Sequence, residues 1–259
     1  HRFLSKDFKL LIPKTQKLKS SLIKSPNLQR IPLPLETSIE CVLFDLDGTL
    51  IDTAPDFIHV VNQLLEEYGE CPIDSQLIYK TVSDGARALV KLAFGINECE
   101  EIFQQLNQQL LDLYAEKIKT TESSLYPNID NLLIQLESAA IPWGIVTNKP
   151  NLYASALIEQ LDLNQRCSVL ICPDHVQNRK PHPEPIFLAC QKLGCNTERT
   201  IYIGDHLRDI QAAKNADVIA VAAAYGYLSE GSKIEEWHAD FIVQKPEQIE
   251  PLLNILKFT

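Results

Sequence analysis

From Glu40 onward, short aliphatic and β-branched runs alternate with longer segments whose apolar residues recur at helical spacing. A strand buried on both faces reads as a continuous apolar run, and a covering helix buries one stripe, so the alternation predicts a parallel sheet covered by helices. Residues 41–45, 143–147, 168–172, 200–204, 217–221 and 240–243 read as strands. Residues 128–140, 152–162, 185–193, 208–215 and 247–256 read as helices. The expected fold class is α/β, a doubly wound, Rossmann-like open sheet, which takes ligands beyond the carboxyl ends of its strands.

Residues 53–122 break the alternation. They contain no convincing strand, and three stripes at helical period run through them: Phe57, Val60, Val61, Leu64 and Leu65; Leu89, Val90, Leu92 and Ala93; then Ile102, Phe103, Leu106, Leu110, Leu113 and Tyr114. Thr53-Ala-Pro-Asp56 supplies an N-cap, an early proline and an acid, the ingredients of a helix start. The pattern predicts a four-helix cap over residues 53–125, inserted between two parts of a core, 39–52 and 126–259. Residues 1–38 are expected to be a poorly ordered basic extension, because the first 35 carry eight Lys/Arg against one acid, with Pro13, Pro26, Pro32 and Pro34.

Composition changes the picture only a little. The chain of 259 residues is 45% hydrophobic and 22% charged, as an ordinary globular protein is. Its longest apolar stretches fall far short of the ~20 residues that span a bilayer, so no membrane association is expected. Seven cysteines without a C-x-x-C pair fit reduced thiols in a cytoplasmic protein better than a disulfide framework or a zinc ribbon. The net charge is −10 in spite of the basic start, which argues against a nucleic-acid partner.

Four segments carry candidate chemistry. Val42-Leu-Phe-Asp-Leu-Asp-Gly-Thr-Leu-Ile-Asp52 is a strand ending in Asp-x-Asp-Gly-Thr; side chains two apart in extended chain point the same way, so Asp45 and Asp47 can address one ligand. Acids and glycine also suit a turn. Trp143-Gly-Ile-Val-Thr-Asn-Lys149 ends in Thr147 and Asn148, which could bond a phosphate or cap the next helix. In Arg179-Lys-Pro-His-Pro183 the prolines hold the chain extended around Lys180, either a charge partner for the acids or a solvated surface lysine. Ile201-Tyr-Ile-Gly-Asp-His-Leu-Arg-Asp209 places Asp205 and Asp209 where carboxylates could hold Mg²⁺ or simply favour a helix N-terminus.

Acids, hydroxyl, lysine and acids, in that order at four strand ends, resemble the haloacid dehalogenase superfamily over residues 40–245. The resemblance implies a Mg²⁺-dependent enzyme with Asp45 as nucleophile and metal ligand. Asp47 would be the general acid and base and give its carbonyl oxygen to the metal; Thr147, Asn148 and Lys180 would hold phosphoryl oxygens. Asp205 would ligate the metal, with Asp209 and Thr49 in support. His206 stands where many members carry a second acid, and its part is left open. An acid at position 47 implies phosphate chemistry rather than dehalogenation. The absence of a G-x-x-x-x-G-K-[ST] motif argues against nucleotide hydrolysis by a P-loop route.

Within that superfamily the core resembles the phosphoglycolate phosphatase group, and more closely the N-acetylmuramic acid 6-phosphate phosphatases of cell-wall recycling. Four stretches carry the closer likeness: Trp143-Gly-Ile-Val-Thr-Asn-Lys-Pro150, Leu170-Ile-Cys-Pro-Asp-His-Val176, Lys180-Pro-His-Pro-Glu-Pro185 and Ala224-Tyr-Gly-Tyr227. The partner implied is a small phosphate ester, with the protein a monomer or weak homodimer. Arg87, in Val82-Ser-Asp-Gly-Ala-Arg87, could bind a substrate carboxylate or be an ordinary exposed helix residue. His175, Tyr225 and Tyr227 could shape the pocket or belong to core and loops. A phosphomutase, and a silent phosphate-binding module, are the rival readings.

Overall fold

The computed structural model describes residues 38–256, so all but the last residue of the expected basic extension lies outside the described residues. In chain order the strands are β1 (Cys41–Phe44), β2 (Ile51–Asp52), β3 (Ser124–Leu125), β4 (Trp143–Val146), β5 (Val169–Ile171), β6 (Thr200–Gly204), β7 (Ile219–Ala223) and β8 (Phe241–Val243). Six of them form one parallel sheet in the order β5-β4-β1-β6-β7-β8. Every residue of β1, β4, β6 and β7 is buried, as both-face coverage requires. The pleat splits β1 between two apolar clusters: Val42 and Phe44 enter one, Cys41 and Leu43 the other.

The covering helices are α5 (Ile129–Ser138), α6 (Asn151–Gln160), α7 (Glu184–Leu193), α8 (Leu207–Asn215) and α9 (Ile249–Ile255), each beginning and ending within two residues of its expected bounds. The seventh strand is displaced: expected at 217–221, it starts at Ile219 because Asp217 adopts φ 55° in the turn that ends α8.

Between β2 and β3 stand four helices, α1 (Ala54–Glu67), α2 (Ser75–Thr81), α3 (Ala86–Phe94) and α4 (Phe103–Ile118), which make the inserted helical cap. The stripes of α1 and α4 face each other, with Phe57 stacked on Tyr114 at 4.2 Å between ring centroids. β2 and β3 pair antiparallel at the neck between cap and core. Two-residue strands leave no periodicity to read, so this ribbon was not expected.

Two local expectations are corrected. Ile102 precedes α4 and is exposed rather than on the buried stripe, because the helix begins only at Phe103. Thr53 does not cap α1 with its side chain. The Tyr227 hydroxyl does so instead, accepting from Thr53 N at 2.6 Å and Ala54 N at 2.8 Å while donating to Asp52 Oδ1 at 2.6 Å. Asp56, fully buried, turns to the returning chain and accepts from Glu122 N at 2.8 Å and Ser123 Oγ at 2.6 Å.

Candidate active site

Register alone brings the first, second and fourth motifs together. Phe44 lies between Ile145 and Ile203, so β1, β4 and β6 end level and Asp45, Thr147 and Asp205 emerge at one edge. The Asp45 N–H still bonds Ile203 O at 2.8 Å, and Thr147 N bonds Ile171 O at 2.9 Å, which extends each strand's pairing to its functional residue. The nucleophile candidate and its neighbours are therefore held by the sheet itself.

Lys180 arrives from the loop before α7 with its side chain 1% exposed. Its Nζ lies 2.8 Å from Asp45 Oδ1 and 2.7 Å from Asp209 Oδ1, and donates to Val146 O at 2.9 Å and Tyr202 OH at 2.8 Å. Asp209 Oδ2 accepts from His206 N at 3.0 Å, so both of its oxygens are engaged, as suits a supporting residue. Asp205 Oδ2 accepts from Tyr227 N at 2.7 Å and Ser83 Oγ at 3.0 Å; Thr49 Oγ1 lies 3.5 Å from its other oxygen. Gly48 is required here. It has φ +82°, and a Cβ would stand 2.2 Å from Asp205 Oδ2.

Burial sets the electrostatics. It raises the Asp45 carboxyl to about 6, helped by the charge of Asp209 and opposed by Lys180. Asp205 is pushed well above the carboxylate range by burial and by Asp45 and Asp209. Burial works against the Lys180 ammonium, yet Asp209 and Asp45 hold its pKa above the ordinary value. Asp45, Asp205 and Asp209 each bring a carboxylate oxygen within 4.8 Å of the others. Three acids around one ammonium leave excess negative charge and hard oxygen donors, a set that could hold a divalent cation such as Mg²⁺. The Asp47 carboxylate stands outside this trio; the metal contact expected of Asp47 is its carbonyl.

Asp47 is held by residues that the sequence pattern did not single out as site residues. Lys149 Nζ and Thr53 Oγ1 each lie 2.7 Å from Asp47 Oδ1. The Lys149 ammonium also sits 4.5 Å from the Tyr114 ring centroid and 5.0 Å from that of Phe57. A lysine before a proline reads locally as surface, and only its place directly after Thr147-Asn148 hints otherwise. Thr147 Oγ1 accepts from Lys149 N at 3.1 Å, and Asn148 Nδ2 donates to Lys180 O at 3.0 Å, so the second motif braces the third.

A cavity of about 360 Å³ opens over Asp45, Asp47, Thr147, Asn148, Lys149 and Lys180. The turn Val82–Asp84 closes one side: besides the Ser83 bond to Asp205, Arg208 Nη2 donates to Ser83 O at 3.0 Å, and His206 Nε2 lies 3.3 Å from Asp84 Oδ1. His206 thus links core to cap. Arg87 borders the cavity, but its guanidinium pairs with Glu98 and lies 5.0 Å over the Phe103 ring. Tyr227 supports Asp205 and α1 as described, Tyr225 OH donates to Thr49 O at 2.8 Å, and His175 Nδ1 accepts from Cys172 N in its own turn. None of these last three lines the cavity.

The α/β core with its inserted helical cap belongs to a phosphoric monoester hydrolase, as the relatives show. Residues 42–223 match the family model for haloacid dehalogenase-like hydrolases, and the chain belongs to that family. It is 41% identical over 216 residues to the N-acetylmuramic acid 6-phosphate phosphatase of Pseudomonas aeruginosa, covering 83% of this chain and 95% of the relative. It is 39% identical over 208 residues to the phosphoglycolate phosphatase of Xanthomonas campestris, covering 80% of this chain and 93% of the relative. Among solved structures it is similar to that of a predicted phosphoglycolate phosphatase from Haemophilus somnus, with a TM-score of 0.73, 25% identity and coverage of 85% of this chain and 98% of that one. No described helix is long and apolar enough to cross a membrane.

Proposed function

We propose that this phosphatase acts on N-acetylmuramic acid 6-phosphate in cytoplasmic cell-wall recycling, through an aspartyl-phosphate on Asp45 and with Mg²⁺. The observation that carries the reading is the Asp45 carboxylate at the end of β1, 2.8 Å from a buried Lys180 and grouped with Asp205 and Asp209. An Asp45 oxygen attacks phosphorus, and the bond from phosphorus to the ester oxygen breaks. Asp47 gives that oxygen a proton; Lys149 and Thr53 both bond Oδ1, so Oδ2 is the oxygen assigned to the transfer. Asp47 then takes a proton from water, whose oxygen attacks the same phosphorus, and inorganic phosphate leaves Asp45.

Lys180, Thr147 and Asn148 offer donors to the phosphoryl oxygens throughout. Asp45, Asp205 and the Asp47 carbonyl would hold Mg²⁺, which when bound supplies charge neutralisation at the phosphoryl group. Residues 53–125 act as the cap and 39–52 with 126–259 as the core.

A second reading, phosphoglycolate as substrate, is supported by the 39% identity to a phosphatase of that name. The test is phosphate release measured on both esters with and without EDTA, for the wild type and for Asp45→Asn. Hydrolysis of the muramic ester with the higher kcat/KM, abolished by EDTA and reduced at least ~10³-fold in the variant, supports the proposal. Turnover retained by Asp45→Asn removes the nucleophile, and sugar-phosphate isomers without phosphate release turn the reading to a mutase.

A further inference from the structure

The cavity has two unlike walls. Its floor is the charged constellation already described, in which Asp45, Asp47 and Lys180 are paired. Opposite it, as a roof, lies a neutral patch, Phe57 from α1, Asn107, Leu111 and Tyr114 from α4, and Tyr153 from α6, with the charged Asp84 and Arg87 of residues 82–87 at its edge. Asn107, Leu111 and Tyr114 recur at i, i+4 and i+7, so one face of α4 supplies three of the five in the patch.

Among the described residues four buried side-chain polar atoms have no hydrogen-bond partner, and three of them, Asn107 Oδ1, Tyr114 OH and Asn148 Oδ1, belong to residues lining this cavity. Buried polar atoms are nearly always bonded, so a group of them around one space marks where a ligand's polar atoms belong. Tyr114 is 1% exposed and cannot turn to water. Its ring is stacked on Phe57 at 4.2 Å and touches Tyr153 at 5.8 Å, which fixes the direction of its hydroxyl.

We infer that Asn107 and Tyr114 are specificity-determining residues that read the non-phosphate end of the substrate, selecting an N-acylated sugar phosphate. The inference rests on the phosphatase reading above and chooses among its substrates. A carboxamide and a phenol offer donors and acceptors without charge, which matches the N–H and C=O of an acylamino group or a ring hydroxyl. The flat Phe57, Tyr114 and Tyr153 walls suit the apolar face of a sugar ring and an acyl methyl. A two-carbon acid phosphate held on the floor has no amide or ring to present to them. Among the cations that border the cavity, Lys149 is paired with Asp47 and Arg87 with Glu98, while Arg179 and Arg208 stand beside them.

The test compares kcat and KM of wild type, Tyr114→Phe and Asn107→Leu on N-acetylmuramic acid 6-phosphate, N-acetylglucosamine 6-phosphate, glucose 6-phosphate and phosphoglycolate. Wild type is expected to prefer N-acetylglucosamine 6-phosphate to glucose 6-phosphate by about tenfold or more, since a site built to bond a polar group rejects the analogue lacking it. Each variant is expected to lose about tenfold or more in kcat/KM on the N-acyl esters, chiefly through KM, and much less on glucose 6-phosphate, which collapses the preference. An equal loss on all four esters means a packing role and overturns the inference. So does an N-acyl preference that survives both substitutions while the wild type hydrolyses the muramic ester, which leaves the proposed function standing. A wild type that hydrolyses phosphoglycolate but no N-acyl ester overturns this inference and the muramic substrate together, without touching the phosphatase chemistry.

Discussion

The floor and the roof of one cavity are built on opposite principles. Around Lys180 the charged groups are matched: the ammonium meets two carboxylates, a carbonyl and a phenol, and Asp209 uses both oxygens, with Asn148 Oδ1 at the edge left unbonded. In the roof, on α4, Asn107 Oδ1 and Tyr114 OH are buried without partners. A matched network positions chemistry before any substrate arrives, since its dipoles need no reorganisation when charge develops on phosphorus. An unmatched wall carries a cost that only a ligand offsets, and so it suits recognition. The floor is common to any phosphate ester, and the roof is where one ester is told from another.

Three measurements sharpen or break that contrast. The largest effect on stability is expected from Lys180→Met. The lysine side chain is 1% exposed, and its removal leaves Asp45 and Asp209 buried and uncompensated, a loss of about 3–5 kcal/mol by urea unfolding. A variant as stable as wild type would mean that the floor is not a coupled network.

A middle-sized effect is expected from Mg²⁺. With the Asp45 carboxyl raised to about 6, ionising it costs the folded apo-protein stability as pH rises through that value, and a bound cation removes the cost. At a hundred times its Kd a ligand adds about 2.7 kcal/mol, roughly 5–10 °C for a chain of this size. Differential scanning fluorimetry should show that rise at pH 7.5 and its decline as pH falls through about 6, where protons displace the metal. A shift independent of pH would place the cation elsewhere.

The smallest effect is expected from Tyr114→Phe, which removes an oxygen that bonds nothing and keeps the stacked ring. Its unfolding free energy should stay within about 0.5 kcal/mol of wild type or rise slightly. A loss of about 2 kcal/mol or more, what a satisfied buried hydroxyl would cost, would show that the roof is bonded as fully as the floor.

Much of the floor was legible in the sequence. Asp45, Asp47, Thr147 and Asp205 follow a strand and Lys180 directly precedes a proline-rich turn, where local pattern is strong, and the structure brings all five to one edge of the sheet. Residues whose role depends on remote partners were not legible. Lys149 reaches Asp47 across 102 positions, Tyr227 caps α1 across 174, and Ser83 meets Asp205 across 122. Tyr227 was a pocket candidate, and the place of Lys149 after Thr147-Asn148 was a hint, but the partner that gives each of the three its role is absent from any local window. Arg87 shows the converse: its type and place suggested a substrate contact, and Glu98, eleven positions away, holds its guanidinium.

By itself the sequence determined the six strands of the main sheet, the helices that cover them, and the order in which strand ends deliver acids, hydroxyl and lysine. Periodicity and strand termini are properties of consecutive residues, so a chain read in order reveals them. The tertiary structure alone decided how deep Asp45 and Asp205 lie, which carboxylate each lysine neutralises, and which polar atoms of the cap remain without a partner. Those outcomes depend on desolvation and on distances between segments far apart in the chain, and both quantities exist only once the sheet and cap have closed around a common space.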